Sequence, residues 1–217
     1  MLSLTRGNAW EKVMGGFSRP GKMPGLAWGI SAARCRIGSV LFEQDKDKAD
    51  KQTVCGNCYA RKGTYGFSNV QAKLEERYRA LFDPRWVPAM VAGLRVNLEP
   101  GEKFRFFDSG DLQSEAHLRN ILRICAAVRD VLMWMPSREH ALVRSLKPSE
   151  VPENLVIRLS GNLIDGKPPM GWPTTSTVVS DIDEASCPSS IEGGSCDENE
   201  CDACWSRDVK TVKYLRH

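Results

Sequence analysis

The sequence predicts an α/β protein: an incomplete parallel (β/α) barrel with an irregular N-terminal lead-in and a cysteine-rich C-terminal tail. Three observations predict it. Short apolar runs alternate with stretches of helical periodicity, which is the pattern of βαβ units. Polar residues recur just after each apolar run, where parallel α/β folds gather their working groups. The cysteines fall into two groups, Cys35 with Cys55 and Cys58, then Cys187, Cys196, Cys201 and Cys204. Residues 1–180 are expected to form the partial barrel carrying the first group, and residues 181–217 a metal-binding extension packed on it.

Taken in order, Met1 to about Lys22 shows little periodicity and reads as the irregular lead-in. Leu26 to Ile30 is a first strand leading to Cys35. Phe42 to Thr53 reads as a charged, exposed loop. Asn69 to Phe82 carries Val70, Leu74, Tyr78 and Leu81 at helical spacing. Asp83 as N-cap and Pro84 at the first helical position then open a second helix with Trp86, Met90, Val91 and Leu94. Phe104 to Phe107 is a strand ending in Asp108-Ser109-Gly110-Asp111, and Ser114 to Val128 is a helix. Val131 to Met135 is the next strand, ending in Pro136-Ser137-Arg138-Glu139-His140. A short helix over Ala141 to Leu146 leads to Leu155–Leu159, which ends in Ser160-Gly161-Asn162. Ser176 to Val179 and Val209 to Leu215 complete the strands.

Composition places the chain among soluble globular proteins, with 41% hydrophobic and 26% charged residues. No apolar run approaches the roughly 18–20 residues of a membrane span. The first residues lack the apolar core of a signal peptide, so a cytoplasmic protein is expected. In that compartment eight cysteines point to metal or redox chemistry rather than disulfides. The net charge of +3 does not by itself argue for nucleic acid. It is unevenly spread: residues 181–202 are acidic, while Arg61, Lys62, Lys73, Arg77, Arg79 and Arg85 follow Cys58. A solvated surface and a phosphate-bearing partner both account for that run.

The two cysteine groups imply different chemistry. Cys196-x4-Cys201-x2-Cys204 has an iron–sulfur spacing, with Cys187 as fourth ligand, and four thiolates serve a structural zinc equally well. Either metal would be fully coordinated. Cys35, Cys55 and Cys58 supply three thiolates, which on a four-iron (4Fe-4S) cluster leave one iron open. The amino and carboxylate groups of S-adenosylmethionine suit that iron, and an external electron donor would then drive cleavage of the sulfonium to a carbon radical. A second zinc site, completed by His140 or Asp111, is the competing reading. Asp111 suits an ammonium and Arg138 a carboxylate, because arginine presents a planar fork of donors. Asp108 reads as a helix cap or a ligand, and Glu139 and His140 as capping, surface or catalytic residues. Cys125 and Trp28, Trp86 and Trp134 read as core. Tyr59 and Tyr65 are better placed to touch a cofactor or substrate.

Cys55-x2-Cys58-Tyr59-Ala60, Tyr65-x3-Asn69-Val70, Phe107 to Asp111, Pro136 to Glu139 and Cys187-Pro188…Cys196…Cys201-x2-Cys204-Trp205 resemble the phage gene product 88 family. The CxxC-Tyr-Ala turn is more distantly similar to phage proteins allied to radical S-adenosylmethionine enzymes, although Cys35 stands apart from their usual C-x3-C-x2-C motif. The resemblance implies a barrel of the radical S-adenosylmethionine type and a host-cytoplasmic phage protein. It also implies that Ser109, Gly110 and Asp111 contact the methionine amino group, while Arg138 with Ser160 or Asn162 reaches carboxylate and ribose. Hydrogen abstraction from a nucleic acid or nucleotide is the leading expectation. A non-catalytic zinc or iron–sulfur binding module, engaging nucleic acid or a host protein, is the alternative. An electron-transfer protein is the third.

Overall fold

The fold is described from a computed structural model covering residues 9–216. The first eight residues of the expected lead-in, and His217, lie outside the described residues. Six strands form one sheet, and every neighbouring pair is parallel. They are β1 (Leu26–Trp28), β2 (Lys103–Phe106), β3 (Leu132–Ser137), β4 (Leu155–Ile164), β5 (Thr175–Val179) and β6 (Thr211–Leu215). Their spatial order equals their chain order, and β1 and β6 are the two edges, so the sheet does not close. Parallel pairing requires a crossover between every two strands. After α1 (Ala9–Met14), which precedes β1, the helices supply most of these: α2 (Ile37–Asp45), α3 (Ser68–Ala80), α4 (Trp86–Asn97), α5 (Glu115–Ala127), α6 (His140–Arg144) and α7 (Pro188–Ile191). The expected α/β class therefore holds.

Side chains alternate across the sheet with the period of two that a strand imposes. Phe104, Phe106, Met133, Met135, Leu155, Ile157 and Leu159 face one side and pack with Trp86, Met90 and Leu94 of α4 and Leu118, Ile121 and Cys125 of α5. The intervening Trp134 faces the other side, where Trp205, Cys204 and Val212 cover it. One face is thus covered by helices and the other by the cysteine-rich segment.

Several sequence expectations need correction. The lead-in contains α1, whose Trp10 and Met14 are buried one helical turn apart. It is held because the Met14 carbonyl accepts the Trp28 indole N–H at 2.8 Å. The charged stretch after Phe42 is not an exposed loop throughout. It begins inside α2, whose last residue Asp45 is buried. Asp83 does not cap α4. Its Oδ1 accepts from Arg85 N at 2.8 Å and shapes the turn before a helix that starts at Trp86. The stretch beyond residue 180 leaves the sheet, carries four cysteines and returns as β6, which pairs with β5.

Candidate metal centre

Three loops meet at the carboxyl ends of β1 to β4. Cys35 follows β1 on a short turn whose Ser31 Oγ accepts from Ala33 N at 3.3 Å. Cys55 and Cys58 bracket a 3-10 turn over Cys55–Asn57. That turn is fixed from two sides. Val54 N donates to the Asn162 carbonyl at the end of β4 (3.0 Å), and Thr53 bridges Leu163 in antiparallel fashion. Buried Asp45 accepts from Thr53 N at 2.6 Å and from Lys48 Nζ at 2.7 Å, which holds its carboxyl well below the usual carboxylate range.

The thiols converge. A Cβ on Gly38 would stand 3.4 Å from Cys55 Sγ and 3.6 Å from Cys35 Sγ, so both sulfurs flank one point, and at 3.0 Å from Cys35 Cβ it would press on the Cys35 side chain. Burial raises the Cys35 thiol, and the charges of Asp111, Cys55 and Cys58 raise it further, while Arg138 opposes them. Burial likewise raises Cys55, with Arg138 opposing. All eight cysteines are free. Among the described residues no three His, Cys, Asp or Glu side chains stand close enough together to ligate one metal ion. A cluster of several irons is larger than one ion, so its ligands stand further apart.

The surrounding residues divide into those already engaged and those with capacity left. Asp111, buried, accepts from Leu112 N (2.7 Å), Ser137 Oγ (2.7 Å) and Arg138 N (2.8 Å). That occupies three of about four acceptor positions of a carboxylate. Burial pushes its pKa up to about 6. Ser109 Oγ is spent on the Ile30 carbonyl, and Ser160 Oγ on Ser176 Oγ at 3.0 Å. His140 Nε2 bonds the Ser160 carbonyl at 2.8 Å. Arg138 uses only its Nε, on the Gly161 carbonyl at 3.2 Å; its terminal nitrogens have no protein partner among the described residues. Asn162 Oδ1 and Asp108 Oδ1 are buried and unpartnered. Asp108 is no helix cap. Ser114 caps α5, and the Asp108 carbonyl instead accepts the hydroxyls of Tyr59 (2.5 Å) and Tyr65 (3.4 Å). The Tyr59 ring is largely exposed beside the turn.

Glu139 has a role that sequence reasoning missed. Its Oε1 accepts Ile37 N at 2.9 Å and so caps the start of α2, two residues after Cys35. Replacing Glu139 by alanine is expected to cost about 1–2 kcal/mol, as the loss of a helix-capping carboxylate does. It should also make Cys35 react faster with a thiol reagent. Unchanged denaturation and labelling rates would refute the tether.

The second group lies against the sheet face opposite α4 and α5. Cys187 and Cys204 pack with Trp134, Trp205 and Val212. Cys196 interacts electrostatically with Cys187 and Cys201, and burial raises its thiol. Cys204 is raised to about 11, mainly by burial, and its Sγ lies 3.1 Å from Tyr214 Oη. All four thiols therefore form one neighbourhood. Two arginines missed at first sight serve it. Arg105 lies over Trp134 (4.5 Å) and donates to Tyr59 Oη (3.3 Å). Arg158 laces the tail to the sheet. Each stands between two apolar strand residues, Phe104 and Phe106 or Ile157 and Leu159, and that lone charge was the available signal.

The basic run after Cys58 is engaged within the protein. Arg61 donates to Ala32 O (3.0 Å) and stacks on Phe42, and Lys62 bonds Asn57. Lys73 pairs with Glu76, Arg79 with Glu75 and Arg85 with Asp83. Arg77 is buried against Gly15 O and Ser18 Oγ. Among the described residues no helix is long and apolar enough to cross a membrane.

Fold and site together define a parallel α/β protein with one thiol group at its strand ends and another buttressing the opposite face. The chain matches the family model for Gene product 88 over residues 31–207 and belongs to that family. The matched span takes in both cysteine groups. Neither a curated protein nor a solved structure matches the chain.

Proposed function

We propose that the chain is a radical S-adenosylmethionine-type iron–sulfur enzyme in which Cys35, Cys55 and Cys58 hold a four-iron cluster with one open iron. The observation that carries this reading is that the Cys35 and Cys55 sulfurs flank one glycine, with Cys58 closing the same turn, beside an arginine fork with unspent donors at the carboxyl ends of parallel strands. A sheet whose spatial order equals its chain order is also what an incomplete (β/α) barrel requires. The residues present fit such a group. Cys35 and Cys55 flank one point, Cys58 closes the same turn, and buried acceptors at Asn162 and Asp108 lack partners. When bound, cluster and S-adenosylmethionine would supply one-electron cleavage of the sulfonium, with an external donor providing the electron.

The chain's own residues bind and orient. Arg138 offers its terminal nitrogens to a carboxylate. Asp111 contributes one remaining acceptor position and otherwise ties the ends of β2 and β3 together. Asn162 Oδ1 is placed for a hydroxyl or ammonium donor, and the exposed Tyr59 ring for a flat group. Ser109, Gly110 and Ser160 shape the walls. A nucleotide or nucleic acid remains the first substrate class to try. Cys187, Cys196, Cys201 and Cys204 are read as holding a second cluster or zinc.

A non-catalytic metal-bound module is the second reading, favoured by how fully the basic residues are engaged internally. Anaerobic purification with iron, sulfide and zinc counted per chain separates the two. The enzyme predicts that Cys55→Ala loses the first cluster's iron and sulfide and keeps whatever the quartet holds, that Cys201→Ala does the reverse, and that Cys55→Ala abolishes reductive S-adenosylmethionine cleavage. A zinc-only, colourless protein would sink it.

A further inference from the structure

We infer that Arg158 is the neutralising and positioning residue of a thiolate-ligated metal centre formed by Cys187, Cys196, Cys201 and Cys204. This rests on the reading that the quartet holds a metal. Arg158 is fully buried and its side chain is among the largest enclosed in the protein. Its Nε donates to Cys204 O (3.1 Å) and its Nη1 to Val209 O (2.9 Å) and Thr175 O (3.3 Å). Its Nη2 donates to Ser206 O (2.8 Å) and to Ala203 O. Four of these five carbonyls belong to the segment that carries Cys204, so one side chain on β4 docks that segment onto the sheet.

Carbonyl dipoles satisfy the donors but leave the charge uncompensated. A buried cation requires a nearby anion. The ionisable groups that act on Arg158 are Cys204 and Tyr214, and no carboxylate is among them. A phenol is neutral near pH 7 unless strongly perturbed. The remaining source of negative charge is metal-bound thiolate, because four thiolates around a cluster core of charge +2 carry two net negative charges. Tyr214 Oη, 3.1 Å from Cys204 Sγ, is placed to donate to that sulfur. Such outer partners orient ligands, and their loss weakens metal binding by about 10–100-fold.

The test uses the full chain purified anaerobically. Native mass spectrometry of wild type and Cys201→Ala identifies what the quartet holds: iron with sulfide marks a cluster, zinc alone an ion. If Cys201→Ala carries the same metal as wild type, the underlying reading of the quartet fails. With metal present, Arg158→Met is expected to release it to a chelator about tenfold faster, or more, while Arg158→Lys, which keeps the charge, stays closer to wild type. Release from Arg158→Met at the wild-type rate would overturn the inference alone. Should Arg158→Met fail to fold, hydrogen exchange of wild type decides. Stripping the metal should speed exchange at residues 201–209 and spare α4 and α5, and equal exchange in both states overturns the assignment.

Discussion

Gly110→Ala is expected to lower stability by about 3–4 kcal/mol. Gly110 has φ +83, and a Cβ there would lie 2.4 Å from Ile30 Cγ1 and 2.7 Å from Ile30 O. A non-glycine residue in this backbone region costs about 1–3 kcal/mol, and forced overlap in a packed site adds about 1–3. The overlap cannot relax cheaply, because Ile30 N donates to Ser109 O at 3.0 Å and Ser109 Oγ returns a bond to Ile30 O. The loops after β1 and β2 would separate, and Cys35 would move away from Asp111 and Arg138. Urea denaturation measures the change. Gly66, which has nothing within 4 Å, is the control, and its alanine variant should stay within about 0.5 kcal/mol of wild type. Equal midpoints for Gly110→Ala and wild type would show that the two loops are not interlocked.

The second large effect is a dependence on acid. His117 is buried among Trp28, Trp86 and Phe107, and burial pushes its pKa down to about 3. Its Nδ1 accepts Gln113 N at 3.3 Å, so the neutral ring carries its proton on Nε2. Unfolding restores the ordinary value near 6.5. Between about pH 6.5 and 3 the unfolded chain binds the extra proton, so stability falls as the pH falls. The contribution is fully present above about pH 6.5. From there to pH 4 it amounts to roughly 3 kcal/mol, at 1.36 kcal/mol per pH unit. His117→Gln keeps an acceptor for Gln113 N and cannot titrate. Its stability should drop less than that of wild type by about that amount between pH 7 and pH 4. Parallel stability curves would refute a neutral buried histidine.

The sheet was legible in the sequence because buried parallel strands read as short apolar runs closed by polar residues. The runs at Leu26, Phe104, Val131, Leu155, Ser176 and Val209 each hold one of the six strands. The helices α3, α4 and α5 were legible from their apolar spacing. α2 was not, because Ile37 and Val40 point outward and the residue it buries at its end is an aspartate. α1 is only six residues long, and its buried Trp10 and Met14, four apart, were its one trace. The cysteine groups could be read from spacing within the chain, but the placement of the first at the strand ends and of the second against one sheet face could not. The tail is docked there by Arg158, and Arg105 joins Trp134 to Tyr59; their partners are carbonyls, an aromatic ring and a tyrosine far away in sequence. Asp111 and Asp108 are legible as candidates from their positions after β2. The hydrogen bonds that make the first largely a brace, and leave the second with an unpartnered oxygen, are visible only in three dimensions.

The strand order has a consequence for synthesis on the ribosome. Each strand pairs with the one translated just before it, so the sheet can be laid down in register as the nascent chain emerges. The step from β5 to β6 is the exception in kind, because the cysteine segment lies between Val179 and Thr211. Until that segment has folded back, the backbone of β5 is an open edge, the kind of surface through which incomplete chains aggregate. If the quartet holds a metal, as proposed, starving the producing cell of thiophilic metals should lower the soluble yield.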